Sequence, residues 1–122
     1  MQRVRPPDFR HHRQHLTAIR RAALAAADPA ACMQRSLQVV DSALHVAGRR
    51  LPLGPDSRIY VVALGKASVA MSTAAAEILG RRLTAGVAAV PRPTQVGAPD
   101  RIRFVPAGHP LPDRGSLAAA RA

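Results

Sequence analysis

The chain has 122 residues, one cysteine and a formal net charge of +11, and 48% of its residues are apolar. Alanine supplies 25 of the apolar residues and only Phe9, Tyr60 and Phe104 are aromatic, so one modest domain with a thin core is expected. The lone Cys32 excludes an internal disulfide framework, and neither a membrane span nor a signal peptide can be found, which leaves a soluble, cytoplasmic protein as the expectation.

Residues 1–8 read as a flexible tail ending in Pro6–Pro7, and residues 9–122 as an incomplete N-terminal α/β domain. From Phe9 a helical pattern begins, with Leu16, Ile19, Ala23 and Ala27 at helical spacing. Asp28–Pro29 then supplies an N-cap and a first-turn proline. The second helix that follows has Met33, Leu37, Val40, Leu44 and Ala47 on one face and Gly48 as its stop. Arg49 to Asp56 holds Pro52, Gly54 and Pro55 and reads as a connector.

Ser57 to Leu64 is the best strand in the chain. Its nearly unbroken apolar run suits a strand covered on both faces in a parallel sheet. Gly65–Lys66 turns into a third helix from Ala67 to Leu79, ended by Gly80. Gly86 to Val90 is a short second strand, and Pro91 to Pro99 is a loop with three prolines. Arg101 to Val105 is a third strand, alternating at Ile102 and Phe104. After a Pro-rich turn at residues 108–113, Ser116 reads as the N-cap of a last helix, unfinished at Ala122. This order predicts an α/β fold: a partial Rossmann-like, mainly parallel sheet preceded by two N-terminal helices.

The charge carries little functional information. Of the 18 basic residues 17 are arginine, and Lys66 is the only lysine. Residues 1–21 hold six arginines and one aspartate, and the other eleven arginines scatter, Arg49–Arg50, Arg81–Arg82, Arg101 and Arg103 among them. There is no basic stripe, and three aromatics make no stacking platform, so no specific nucleic-acid partner is expected. His11, His12 and His15 lack a matching set of carboxylates or cysteines and read as a polar helix face, not a metal site. Cys32 reads as a small apolar residue, since nothing nearby in sequence would activate it.

Two segments could carry chemistry. The first is Val61 to Met71, a strand, a turn and a helix start. Gly65 lets the backbone turn tightly and lets a ligand approach. Lys66 would stand at the carboxyl end of the strand, where open α/β sheets bind ligands. Free N–H groups of Ala67 and Ser68 would favour an anion. A Walker A loop fails here, because Tyr60 occupies its glycine position and Ala67 follows the lysine. A dinucleotide fingerprint fails too, with Gly65 its one glycine. An ordinary turn with a solvated lysine stays open beside an anion clamp. A sole lysine in an arginine-rich chain argues for the clamp, because lysine is a compact point charge. The second segment is Ala107 to Asp113. Gly108 permits a left-handed backbone, Pro110 and Pro112 stiffen the turn, and His109 is either a ligand or acid–base group or a hydrogen-bonded turn residue.

LGKASVAM at residues 64–71, followed some forty residues later by AGHPLPD at 107–113, resembles the N-terminal part of glycerate 2-kinases of the MOFRL-domain type. Some members of that family are described as hydroxypyruvate reductases. The resemblance runs from about residue 10 to the end. It implies ATP- and Mg2+-dependent phosphorylation of D-glycerate to 2-phosphoglycerate, in a cleft between two α/β domains. It implies that Lys66 is the catalytic or phosphate-contacting residue, flanked by Gly65, Ala67 and Ser68. Gly108, His109, Pro110, Pro112 and Asp113 would shape the substrate pocket. The family continues into a Ser-Gly-Gly segment and a second domain, without counterpart here. The implied partner is therefore the missing C-terminal region, and the chain alone is expected to be inactive. The alternatives are a non-enzymatic anion-binding α/β module and a hydroxypyruvate reductase-type oxidoreductase, the latter disfavoured by the missing glycine fingerprint.

Overall fold

A computed structural model of the chain describes residue 9, residues 11–93 and residues 95–122. The expected tail at residues 1–8 lies outside the described residues. Helix α1 spans His12–Ala26 and α2 spans Pro29–Ser36. The junction behaves as expected: the Asp28 carboxylate accepts the Ala31 N–H at 2.8 Å, and Pro29 opens α2. No residue of α1 is buried, and its Leu16, Ile19 and Leu24 are exposed.

The second helix stops at Ser36, twelve residues short of the expected stop at Gly48. The segment beyond is an antiparallel meander of β1 (Leu37–Val40), β2 (Ala43–Val46) and β3 (Arg49–Pro52). The expected connector at 49–56 therefore begins as a strand. Two-residue turns make the hairpins: Asp41 and Ser42 have φ of 45° and 57°, Ala47 and Gly48 of 46° and 81°. Positive φ at both central residues matches the right-handed twist of the flanking strands. Val39, Val40 and Val46 also carry branched side chains, which favour a pleated surface over a helix. Leu37, Val39, Leu44 and Val46 face the core from this meander.

The second sheet is parallel, in the order β4 (Ile59–Leu64), β5 (Leu83–Pro91) and β6 (Ile102–Ala107). Helix α3 (Ser68–Leu79) and a 3-10 turn at Gly80–Arg82 link β4 to β5, and α4 (Arg114–Ala120) follows β6. The α/β architecture with a mainly parallel sheet behind N-terminal helices is thus borne out, with the meander as an addition. Leu37, Ala75, Leu79, Leu83, Ala88, Val90 and Ile102 form the buried core between α3 and the sheet.

The expectation that β4 is covered on both faces does not hold. Ile59, Val61 and Ala63 point toward α3, whereas Tyr60, Val62 and Leu64 point away and are 59%, 71% and 75% exposed. Helix α4 lies against that second face and packs mainly on β6 and β5.

Candidate functional site

Both segments singled out by sequence lie at the carboxyl end of the parallel sheet. Strand β4 ends at Leu64, and Gly65 turns the chain with φ of 88°, a conformation that a side chain would strain. Lys66 follows, exposed, with no ion pair among the described residues. The anion-binding amides expected at the helix start are only partly there. The Ser68 N–H donates to the Gly65 carbonyl at 3.1 Å and is not free. Ser68 itself is only 2% exposed, and its Oγ has no hydrogen-bond partner. It lines a small pocket with Met33, Met71 and Ser72, on the far side of β4 from the Ala107–Asp113 segment.

That second segment is a loop closed at its base. Asp113 Oδ1 accepts the Gly108 N–H at 3.0 Å and the Ser116 N–H at 3.1 Å. The Asp113 N–H in return donates to Ser116 Oγ at 3.1 Å, completing a capping box. The N-cap of α4 is therefore Asp113, not Ser116, which sits one turn inside. The other carboxylate oxygen, Oδ2, meets Arg92 Nη1 at 2.7 Å. The same guanidinium donates through Nη2 to the Pro106 carbonyl at 3.0 Å. Sequence reasoning missed Arg92. As one of 17 arginines, 21 positions from its partner, it gave no local signal.

The Gly108 and Ser116 amides, with the Arg92 charge beside them, hold the Asp113 carboxyl down at about 2, from an ordinary 3.8. Because the folded-state value is depressed, the carboxylate's stabilising effect is complete above about pH 4. It is lost as pH falls through 2. An Asp113 carboxyl 13C titration, followed together with the Gly108 amide resonance, is expected to show a midpoint near 2 and loosening of the loop below pH 4. A midpoint near 4 would contradict the bonding described.

The two segments share one groove of about 500 Å3, walled by Val62, Leu64, Gly65, Gly108, His109 and Ala119. Its floor is the uncovered face of the sheet and one side is α4. Lys66 follows Gly65 in the chain but does not itself line the groove. Of the other expected site residues, Gly65, Gly108 and His109 reach this groove. Ala67, Ser68, Pro110 and Asp113 do not line it, and Asp113 acts from behind by bonding Gly108 and Ser116. His11, His12 and His15 are exposed at the start of α1, far along the chain from this groove. Cys32 is half-buried in α2, where its Sγ accepts an Arg35 N–H at 3.1 Å. Among the described residues no helix is long and apolar enough to cross a membrane.

Comparison with known proteins agrees with the motif resemblance. The chain is 34% identical to the glycerate 2-kinase of Pyrococcus horikoshii over 102 residues, covering 81% of this chain and 21% of that protein. It is 36% identical over 64 residues to the D-glycerate 2-kinase of Thermotoga maritima, covering 52% of this chain and 15% of that one. It is 30% identical over 114 residues to the glycerate kinase of Rattus norvegicus, covering 83% of this chain and 22% of that one. The fold matches the crystal structure of the PH0495 protein from Pyrococcus horikoshii OT3 with a TM-score of 0.74 and 30% identity, over 97% of this chain and 25% of that one. The chain thus spans between about a seventh and a quarter of the length of these proteins. The resemblance to glycerate 2-kinases is borne out. The model of one family, DUF4147, described as a domain of unknown function, matches residues 15–122, and the chain belongs to that family.

Proposed function

We propose that the chain is the N-terminal portion of a cytoplasmic, ATP-dependent glycerate 2-kinase of the MOFRL type. The complete enzyme would transfer a phosphoryl group from ATP to the 2-hydroxyl of D-glycerate, giving ADP and 2-phosphoglycerate. The observation that carries this is the shared groove: two segments some forty residues apart meet at the carboxyl end of one parallel sheet. Ligands of open α/β sheets lie outside the carboxyl ends of the strands, where helices pass to opposite faces. Here α3 and α4 take opposite faces, and Lys66 stands at that end of β4.

In this role Lys66 supplies a fixed positive charge to anionic oxygens of the substrate or of the transferring phosphoryl group. Gly65 lets the ligand approach the backbone, and His109 offers its imidazole as a hydrogen-bond partner from the opposite wall. Among the described residues, the donors beside this groove do not fit magnesium. Asp113, the carboxylate beside the groove, already serves Gly108, Ser116 and Arg92, and no three metal-binding side chains gather among the described residues. Metal ligands, and the contacts that complete the ATP site, are assigned to the part of the relatives that lies outside the stretch matched by this chain. Tyr60, exposed on the same face but outside the groove, is the natural seat for that part, since parallel sheets are covered on both faces.

A coupled assay of ATP consumption with D-glycerate tests this. The 122-residue chain alone is expected to give no turnover. A chimera, in which it replaces the matching stretch of the Pyrococcus horikoshii glycerate 2-kinase, is expected to yield 2-phosphoglycerate. Robust turnover by the chain alone would overturn its incompleteness, and a folded but inert chimera would overturn the kinase assignment.

A further inference from the structure

We propose that Arg92 is a positioning residue, which through Asp113 and Pro106 fixes the 108–113 loop and with it the His109 wall of the groove. The proposal rests on the glycerate kinase reading only for what the groove binds.

Three pieces of chain converge on this guanidinium. Arg92 follows β5 directly, Pro106 lies near the end of β6, and Asp113 caps α4. Nη1 and Nη2 each take a different acceptor, Asp113 Oδ2 at 2.7 Å and the Pro106 carbonyl at 3.0 Å. A planar fork can do this, and the single ammonium of a lysine cannot hold both in the same geometry. Asp113 passes the constraint on, because its second oxygen grips the amides of Gly108 and Ser116. Between those anchors His109, Pro110, Leu111 and Pro112 are exposed, and no side-chain hydrogen bond is made by them among the described residues. The loop tip is therefore placed by its ends.

The packing leaves no slack. A Cβ on Gly115 would collide with the Pro106 carbonyl and come within 2.7 Å of Arg92 Nη2. A Cβ on Gly108 would lie 2.5 Å from the Leu111 carbonyl and 3.0 Å from Asp113 Cγ. Both glycines let backbone close onto the brace. The Arg92 side chain is 55% exposed, and an ion pair that open to water contributes little to global stability. Its effect is local, on the one segment that carries His109 into the groove.

Amide hydrogen exchange on the intact chain separates a local from a general role. In Arg92→Gln the Gly108 and Ser116 amides are expected to exchange at least about tenfold faster, while Ala88 and Val90 in β5 keep their wild-type rates. Arg92→Lys, which retains charge but not the fork, is expected to fall between. Unchanged protection at Gly108 would overturn the proposal. So would equal acceleration of the sheet amides, which marks a general stabiliser. If Arg92→Gln does not fold, the same comparison in Arg92→Lys decides. In the chimera, Arg92→Gln is expected to raise the KM for D-glycerate by about fivefold or more with kcat little changed. An unchanged KM would sink the link from loop to ligand. A chimera inert before any substitution would count against the kinase reading, leaving the exchange data to decide the role of Arg92.

Discussion

Replacing Lys66 with alanine in the chimera is expected to lower glycerate phosphorylation by about a hundred- to a thousand-fold, the range seen when one preorganised charge-stabilising group is removed. Lys66 is exposed at the sheet's carboxyl end and bound in no ion pair among the described residues, so its charge is free for a ligand. The same substitution should leave folding intact, because the side chain packs against nothing in the core. Urea unfolding of the chain should therefore show wild-type stability for Lys66→Ala beside the loss of turnover. Lys66→Arg is expected to recover little, since a broad planar fork does not replace a compact ammonium. Turnover within a few-fold of wild type in Lys66→Ala would remove this residue from the site.

The second large effect is on stability. Leu83→Ala is expected to cost about 2–5 kcal/mol, measured as a shift in the urea midpoint. Leu83 is 1% exposed at the start of β5, among the Leu79 and Ile102 side chains of the core. Two other core positions, Ala75 and Ala88, are alanines, so few large side chains anchor the sheet to α3. A cavity at Leu83 thus removes a large share of what holds the two layers together. Against a total stability of about 5–15 kcal/mol for ordinary domains, this change removes a large fraction of the folding free energy. The exposed Leu111→Ala, in the loop tip, is the control and should shift the midpoint hardly at all.

The region from Ile59 to Leu79 was legible because its signals agree: a β-branched run, a glycine where φ must be positive, and an apolar helix closed by Gly80. The segment from Leu37 to Pro52 was not. Leu37, Val40, Leu44 and Ala47 fall at helical spacing, while the hairpin turns are Asp41–Ser42 and Ala47–Gly48, not the Asn-Gly or Asp-Gly pairs that announce a hairpin. Exposure of one face of β4 was hidden for another reason. Tyr60, Val62 and Leu64 are as apolar as their neighbours, so composition alone could not tell a covered face from an uncovered one.

The candidate site divides in the same way. Gly65, Gly108 and His109 were visible as local motifs, and the fold brings them to one groove. The engagement of the Ser68 amide by Gly65 depends on how the turn closes, which residue types do not dictate. Pairing of Arg92 with Asp113 depends on β5 and β6 lying side by side, a long-range fact with no trace in local spacing. What the fold adds is therefore the support behind the motifs, not the motifs themselves.

Lys66 is the only lysine of this chain, so within the transplanted segment one peptide reports its modification, separately from lysines in the rest of the chimera. Acetylation of the chimera, read at the Lys66 peptide by mass spectrometry with activity measured in parallel, tests most directly whether Lys66 belongs to the substrate site. Loss of activity is expected to track modification of Lys66, and saturating D-glycerate with ATP should slow that modification by about tenfold or more, as occupancy of a site at this residue requires. Complete modification of Lys66 with activity retained, or a modification rate indifferent to substrate, would contradict the account.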